Sequence, residues 1–281
     1  MSLLEIDGLS IRLPGRDGGK ALVEDVSLHV AAGEVVGLAG ESGSGKTLTA
    51  LSVLGMVPHG ARTGGEVRFD GRDVLALRPR DLRELRGAQV AMVFQDPTTA
   101  LHPMLDVGTQ ITEHLRVHRG ISKRAAAARA LELLEQVRIP NPAEAVRAYP
   151  HRFSGGMKQR IAIAVALACE PRLLIADEPT TALDVTVQAG VLRLLDDLRA
   201  QTGMAVLLIT HDLGVMNVTS DRLYVMKAGR VVEEGRTREV LAAPGHPYTA
   251  SLLDALSDPG TAPEGGPDHR SPGVAATGLG G

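Results

Sequence analysis

Gly40-Glu41-Ser42-Gly43-Ser44-Gly45-Lys46-Thr47 follows the apolar run Glu34–Ala39 and opens Lys46–Leu54, whose apolar residues recur at helical spacing. Strand, glycine-rich turn and helix are the context in which G-x-x-x-x-G-K-[ST] binds phosphate. Gly43 and Gly45 let backbone N–H groups turn inward, and the positive end of the following helix adds to the attraction. The motif predicts that Lys46 reaches the β- and γ-phosphates of a nucleotide and that the Thr47 hydroxyl ligates Mg²⁺. Gly40, Glu41, Ser42, Ser44 and, further into the helix, Thr49 are grouped with them as nucleotide-binding residues.

Downstream, Leu173-Leu174-Ile175-Ala176-Asp177-Glu178 is an apolar strand ending in two acids. A parallel sheet delivers carboxylates to its C-terminal edge in this way. Asp177 would hold the Mg²⁺ shell, and Glu178 would polarise an attacking water as general base. Around these segments, Ser122–Ile139 reads as a helix that Pro140 ends, Met157–Cys169 as a helix stopped by Pro171, and Val185–Gln201 as a helix closed by Gly203. With Met204–Ile209 as another buried strand, the alternation implies a doubly wound α/β sheet. Leu3–Leu13 and Val23–Val30 alternate roughly in period two about the loop Pro14–Lys20 and read as an antiparallel pair; Arg222–Met226 and Arg230–Glu234 form a hairpin about Ala228-Gly229. From Ser257 the chain turns to Gly, Pro, Ala and Thr without periodicity, and a disordered tail is expected over 257–281.

Bulk properties narrow the function classes. The 281 residues carry a net charge of −3 with no basic stripe, so nucleic acid is not an expected partner. Cys169 is the only cysteine, which leaves no disulfide framework and no thiolate cluster within the chain. Glu5 and Asp7 interrupt the N-terminal apolar stretch, so no export signal is read there. The runs Ile161–Cys169 and Met204–Ile209 fall short of the ~20 residues that span a bilayer, so any membrane role runs through a partner.

Ser154-Gly155-Gly156-Met157-Lys158-Gln159 lies between the phosphate loop and the acidic strand, directly before a helix. By itself it is a capped helix start whose amides make a second anion site. In this position it resembles the signature of ABC ATPases. The resemblance extends to Gln95 in Val-Phe-Gln-Asp-Pro, Asp184 in Ala-Leu-Asp and His211 in Leu-Ile-Thr-His-Asp, in family order from about Leu3 to Ala243. It implies an α/β fold of ABC ATPase architecture: a P-loop NTPase (RecA-like) core, an antiparallel β subdomain and a helical subdomain inserted at roughly 96–164. The ATPase domain would cover 1–243, and 244–256 would form a short extension with a His-Pro-Tyr motif. By the same resemblance ATP and Mg²⁺ are the cofactors, and Lys46, Gln95, Glu178 and His211 are the catalytic residues. Thr47, Gln95 and Asp177 would surround the metal, while Ser154, Gly155, Gly156 and Asp184 would serve nucleotide across a subunit pair. Asp184 also reads as the N-cap of the Val185 helix. Family members usually stack an aromatic residue near the end of the first strand on adenine; Leu13 stands there in this chain, and stacking is expected to be weaker.

Val93–Pro103, Ala148–Met157 and Gly245-His246-Pro247-Tyr248-Thr249 are similar to the oligopeptide, dipeptide and nickel importer ATPases. That likeness implies a second, related but distinct ATPase subunit, two transmembrane permease subunits and an extracytoplasmic substrate-binding protein, with this chain at the cytoplasmic face of the cell membrane. The C-terminal cysteine cluster often found in that family is missing, so no iron–sulfur site is expected. A soluble ABC ATPase of DNA repair or translation is the competing class; the long coiled-coil insertions or twin cassettes common there are not found.

Overall fold

The computed structural model describes residues 2–15, 19–181 and 183–257. The tail expected over 257–281 lies outside the described residues except for Ser257. In chain order the elements are β1 (Ser2–Arg12), β2 (Ala21–Ala31), β3 (Val35–Ala39), α1 (Lys46–Val53), β4 (Arg62–Phe69), β5 (Arg72–Asp73), α2 (Pro79–Leu85) and β6 (Val90–Val93). The helices α3 (Pro97–Ala100), α4 (Val107–Arg119), α5 (Lys123–Gln136), α6 (Pro142–Ala145) and α7 (Gly155–Leu167) follow. The chain continues through β7 (Leu173–Asp177), α8 (Val185–Thr202), β8 (Ala205–Ile209), α9 (Leu213–Thr219), β9 (Arg222–Lys227), β10 (Arg230–Arg236), α10 (Thr237–Ala242) and α11 (Pro247–Ser257).

The strands form two sheets. One is antiparallel, in the order β2-β1-β4-β5. The other has the order β10-β9-β3-β8-β7-β6, parallel throughout except for the β9–β10 hairpin. Every residue of β3, β7 and β8 is buried, which is why these strands read as unbroken apolar runs: a parallel sheet is covered on both faces. Alternate residues serve two cores. Leu174, Ala176, Val206 and Leu208 pack with Ile111, Leu133, Ile163 and Leu194 of the helical layer. Leu173, Ile175, Leu207 and Ile209 pack with Leu4, Ile6, Val26 and Phe69 of the antiparallel sheet.

In β1 the buried residues Ile6 and Leu9 are three apart, a spacing that strict alternation would send to opposite faces. A register shift between them, around Gly8 at φ +58°, returns Leu9 and Ile11 to the buried face. The helix after Ser122 starts as expected, with the Ser122 hydroxyl accepting from the Ala125 N–H at 3.2 Å. It stops at Gln136, short of Pro140, because Arg138 takes φ +59°. Gly245–Tyr248, in the expected C-terminal extension, leads into α11, with Pro247 as its first residue, where the missing N–H costs nothing.

Removing the centre of β7 tests this packing. Ile175→Ala is expected to lower stability by about 2–5 kcal/mol, seen as a lower urea midpoint at constant slope. A loss below about 0.5 kcal/mol would contradict an enclosed strand at that position.

Candidate active site

The turn after β3 is shaped by glycine. A Cβ at Gly40, φ +143°, would stand 2.2 Å from the Met226 carbonyl oxygen. Gly45, at φ +102°, begins α1 with no side-chain cap, whereas α4, α5, α7, α8 and α9 are capped by Asp106, Ser122, Ser154, Asp184 and Asp212. The first amides of α1 are thus left for an anion. Lys46 is 5% exposed, and its Nζ donates to the Gly40 carbonyl at 2.7 Å, the Glu41 carbonyl at 2.8 Å and Ser44 Oγ at 3.5 Å. Burial pushes its pKa down, against the raising influence of Glu178, Asp177 and Glu41.

Three neighbouring strands end at the same edge. The order β8-β7-β6 brings His211, just past β8, and Gln95, just past β6, to either side of the Asp177–Glu178 pair. Glu178 has φ +47° and donates its N–H to the Ile209 carbonyl at 2.8 Å, which turns it out of the strand. Its Oε2 accepts from Gln95 Nε2 at 3.0 Å and from Thr181 Oγ1 at 2.8 Å, and its Oε1 meets His211 Nδ1 at 3.1 Å. Burial by itself would raise the Glu178 pKa. Its bonds to His211 and Thr181, with the electrostatic influence of His211 and Lys46, outweigh that and hold it below the ordinary value. Glu178 is therefore an ionised acceptor at neutral pH. Asp177 is shifted the other way: burial, supported by the Glu178 charge, raises it against the hydrogen bond from Thr47 and the charge of Lys46.

Ser42, Gly43, Gly45, Lys46, Thr47, Gln95, Glu178 and His211 share an open cleft of about 510 Å³ with Leu22, Leu48 and Thr181. Sequence motifs do not point to Thr181; the Thr-Thr pair two residues after Glu178 is its only signal. Leu13 is not brought to this cleft. It is half-buried just past β1, its N–H donating to the Lys20 carbonyl at 2.9 Å, while Leu22 lines the wall. Thr49 is fully buried, its hydroxyl donating to the Gly45 carbonyl at 3.0 Å, so it supports the turn from within α1. Ser154, Gly155 and Gly156 lie outside the cleft lining: Ser154 Oγ accepts from the Met157 N–H at 3.4 Å, and a Cβ on Gly156 would stand 2.4 Å from Val187 Cγ1. Asp184 caps α8 through the Val187 N–H at 2.9 Å.

Residues 23–181 match the family model described as ABC transporter. The chain belongs to the ABC transporter family. The architecture is the family's: a RecA-like P-loop core, an antiparallel sheet and a helical subdomain. The chain is 46% identical to the oligopeptide transport ATP-binding protein OppD of Salmonella typhimurium over 254 residues, covering 90% of this chain and 76% of that one. It is 49% identical to the probable peptide ABC transporter ATP-binding protein y4tR of Sinorhizobium fredii, over 91% of this chain and 77% of the relative. A dimeric structure of the ATP-binding cassette MJ0796 in a post-hydrolysis state, bound to ADP and Pi, superposes with a TM-score of 0.73 at 30% identity, covering 84% of this chain and 99% of that one. This ABC subunit binds and hydrolyses ATP.

Glu178→Gln is expected to keep ATP affinity within about threefold while slowing single-turnover hydrolysis by at least about 10²-fold, the lower bound for a general base. Turnover within about threefold of the parent would contradict the role of Glu178.

Proposed function

We propose that the chain energises peptide import, binding MgATP in the Lys46 cleft and working as one of two ATPase subunits beneath a pair of permeases. The observation that carries the catalytic reading is the convergence of Gln95, Thr181 and His211 on the ionised Glu178 carboxylate, across the cleft from Lys46. A water placed against Glu178 would attack the γ-phosphorus, the bond to the β–γ bridging oxygen would break, and the water's proton would pass to the carboxylate. The peptide class is supported by the names of the relatives, which describe peptide and oligopeptide transport ATP-binding proteins.

The donors present suit Mg²⁺. The Thr47 hydroxyl bonds to Asp177, and Thr47 shares the cleft with Gln95, so hard oxygen atoms gather where the triphosphate oxygens would supply the remaining ligands. The metal would neutralise charge on the β- and γ-phosphate oxygens.

Beside Gln95 runs an apolar groove lined by Met56, Val93, Phe94, Leu101 and Ala162. Phe94 and Met56 are 41% and 44% exposed and line the same groove, so their apolar surface is open to a permease segment. Phe94 adjoins Gln95 in the chain, so a load on the groove would reach Glu178 through one peptide. Among the described residues no helix is long and apolar enough to cross a membrane, so in this reading the chain sits at the cytoplasmic membrane face through that contact. An extracytoplasmic binding protein would deliver the substrate.

The Ser154 end of α7 would complete the nucleotide site of a second, distinct ATPase subunit. It rests outside the cleft of its own chain, and the phosphates there already have the α1 N-terminus. Ser154→Arg should therefore retain ATP binding through Lys46 while disabling the site built on the partner's phosphate loop. Mixed with a partner lacking its own phosphate-loop lysine, the variant should keep residual hydrolysis; with Lys46→Ala added to this chain instead, both sites should fail. Equal residual rates above background in the two combinations would contradict action in trans.

A further inference from the structure

We propose that Tyr248 is a positioning residue for the phosphate loop: its hydroxyl holds the Gly40–Glu41 peptide, and that peptide holds the Lys46 ammonium. The inference rests on ATP binding in the Lys46 cleft. The Glu41 N–H donates to Tyr248 Oη at 3.0 Å, across 207 residues of sequence. The carbonyl of the same peptide unit, on Gly40, accepts from Lys46 Nζ at 2.7 Å. A peptide is planar, and its N–H and C=O point to opposite sides. The two bonds therefore fix its rotation from both ends, and losing one lets the plane swing and carries the Lys46 acceptor with it. Restraint has to come from outside the turn, because Gly40 is the residue type with the least preference of its own. The close approach to Met226 demands glycine at this point.

Tyr248 is held firmly enough to act as a stop. It is 8% exposed, Lys227 Nζ stands 4.6 Å from its ring centroid, and its N–H donates to His246 Nδ1 at 3.1 Å. The Glu233 carboxylate on β10 accepts from the Gly245 N–H at 2.6 Å and the His246 N–H at 3.2 Å, anchoring the approach to α11. The same hairpin touches the loop again where the Gly229 N–H donates to the Ser44 carbonyl at 2.9 Å. A continuous set of contacts thus runs from β10 through Gly245–Tyr248 to Lys46. Coupling of this kind is reciprocal: if the docked tyrosine favours the ATP-gripping loop, bound ATP must favour docking of the tyrosine.

Tyr248→Phe keeps the ring, its burial and the contact with Lys227, and removes the acceptor of the Glu41 N–H alone. Titration calorimetry on the full-length chain should show the Kd for ATP rising about fivefold, the loss expected for one hydrogen bond. In the assembled transporter KM should rise with kcat within about twofold, as for an interaction that serves bound substrate and transition state alike. Hydrogen exchange supplies a readout that a merely structural tyrosine would not move. ATP should slow exchange over residues 248–253 in the parent and lose that effect in Tyr248→Phe, while still protecting the loop at 43–47. A Kd within about 1.5-fold of the parent, or equal ATP-induced protection of 248–253 in both proteins, overturns the proposal. A parent chain without affinity for ATP would overturn the nucleotide site itself, and this inference with it.

Discussion

A buried ammonium facing two carboxylates sets the terms for the whole nucleotide edge of the sheet. Lys46 is 5% exposed and lies within electrostatic reach of Asp177 and Glu178. Taking such charges out of water costs several kcal/mol per ion unless partners compensate. The loop answers with two carbonyls, each hydrogen bond to a charged donor contributing about 1.5–3 kcal/mol. Burial still wins, since the Lys46 pKa lies below its ordinary value despite three acidic neighbours. A polyanion entering the cleft would bring further negative charge to this buried ammonium, which is the electrostatic basis of phosphate binding there. Around this pair the backbone takes unusual conformations, with Gly40 at φ +143°, Gly45 at +102° and Glu178 at +47°. Such departures collect where the surrounding structure over-determines them.

The phosphate loop was legible in the sequence because its requirements are local: fixed residue types, fixed spacing, a strand before and a helix after. The acidic strand end was legible for the same reason. The meeting of Gln95 and His211 on Glu178 depends on sheet order, which places β6 and β8 on either side of β7, and no spacing along the chain records that. Only the family resemblance anticipated those two residues. Thr181 and Tyr248 carried no periodic signal, and Tyr248 reaches Glu41 only through the tertiary fold.

Where sequence reading and structure part, a local force explains it. The motif groups Thr49 with the nucleotide ligands, yet a helical threonine readily returns its hydroxyl to the carbonyl four residues back, and Gly45 accepts it. Leu13 lies just past β1, whereas the cleft wall takes Leu22 from the start of β2, so the end of the first strand does not supply the residue at that wall. Helix α4 leaves little trace in the sequence because its buried residues Val107, Ile111 and Leu115 make a thin stripe among polar neighbours. Gly156, read as part of an anion site, also has a packing reason to be glycine, since α8 comes too close for a side chain there.

In the proposed account this chain supplies one half of a nucleotide site: the phosphate grip, the metal donors and the base, with the facing helix end provided by another subunit. Its own Ser154 lies outside the cleft and would complete the reciprocal site. The most direct measurement is chemical cross-linking. Cys169, the only cysteine of this chain, is buried, so background labelling of this chain is low. Ser154→Cys in this chain, paired with a cysteine replacing the residue equivalent to Ser42 in the co-expressed ATPase subunit, should join through a short bis-maleimide into a two-subunit species when ATP is present. A yield that ATP does not raise, or the absence of that species while ATP is bound, would contradict a site shared between subunits.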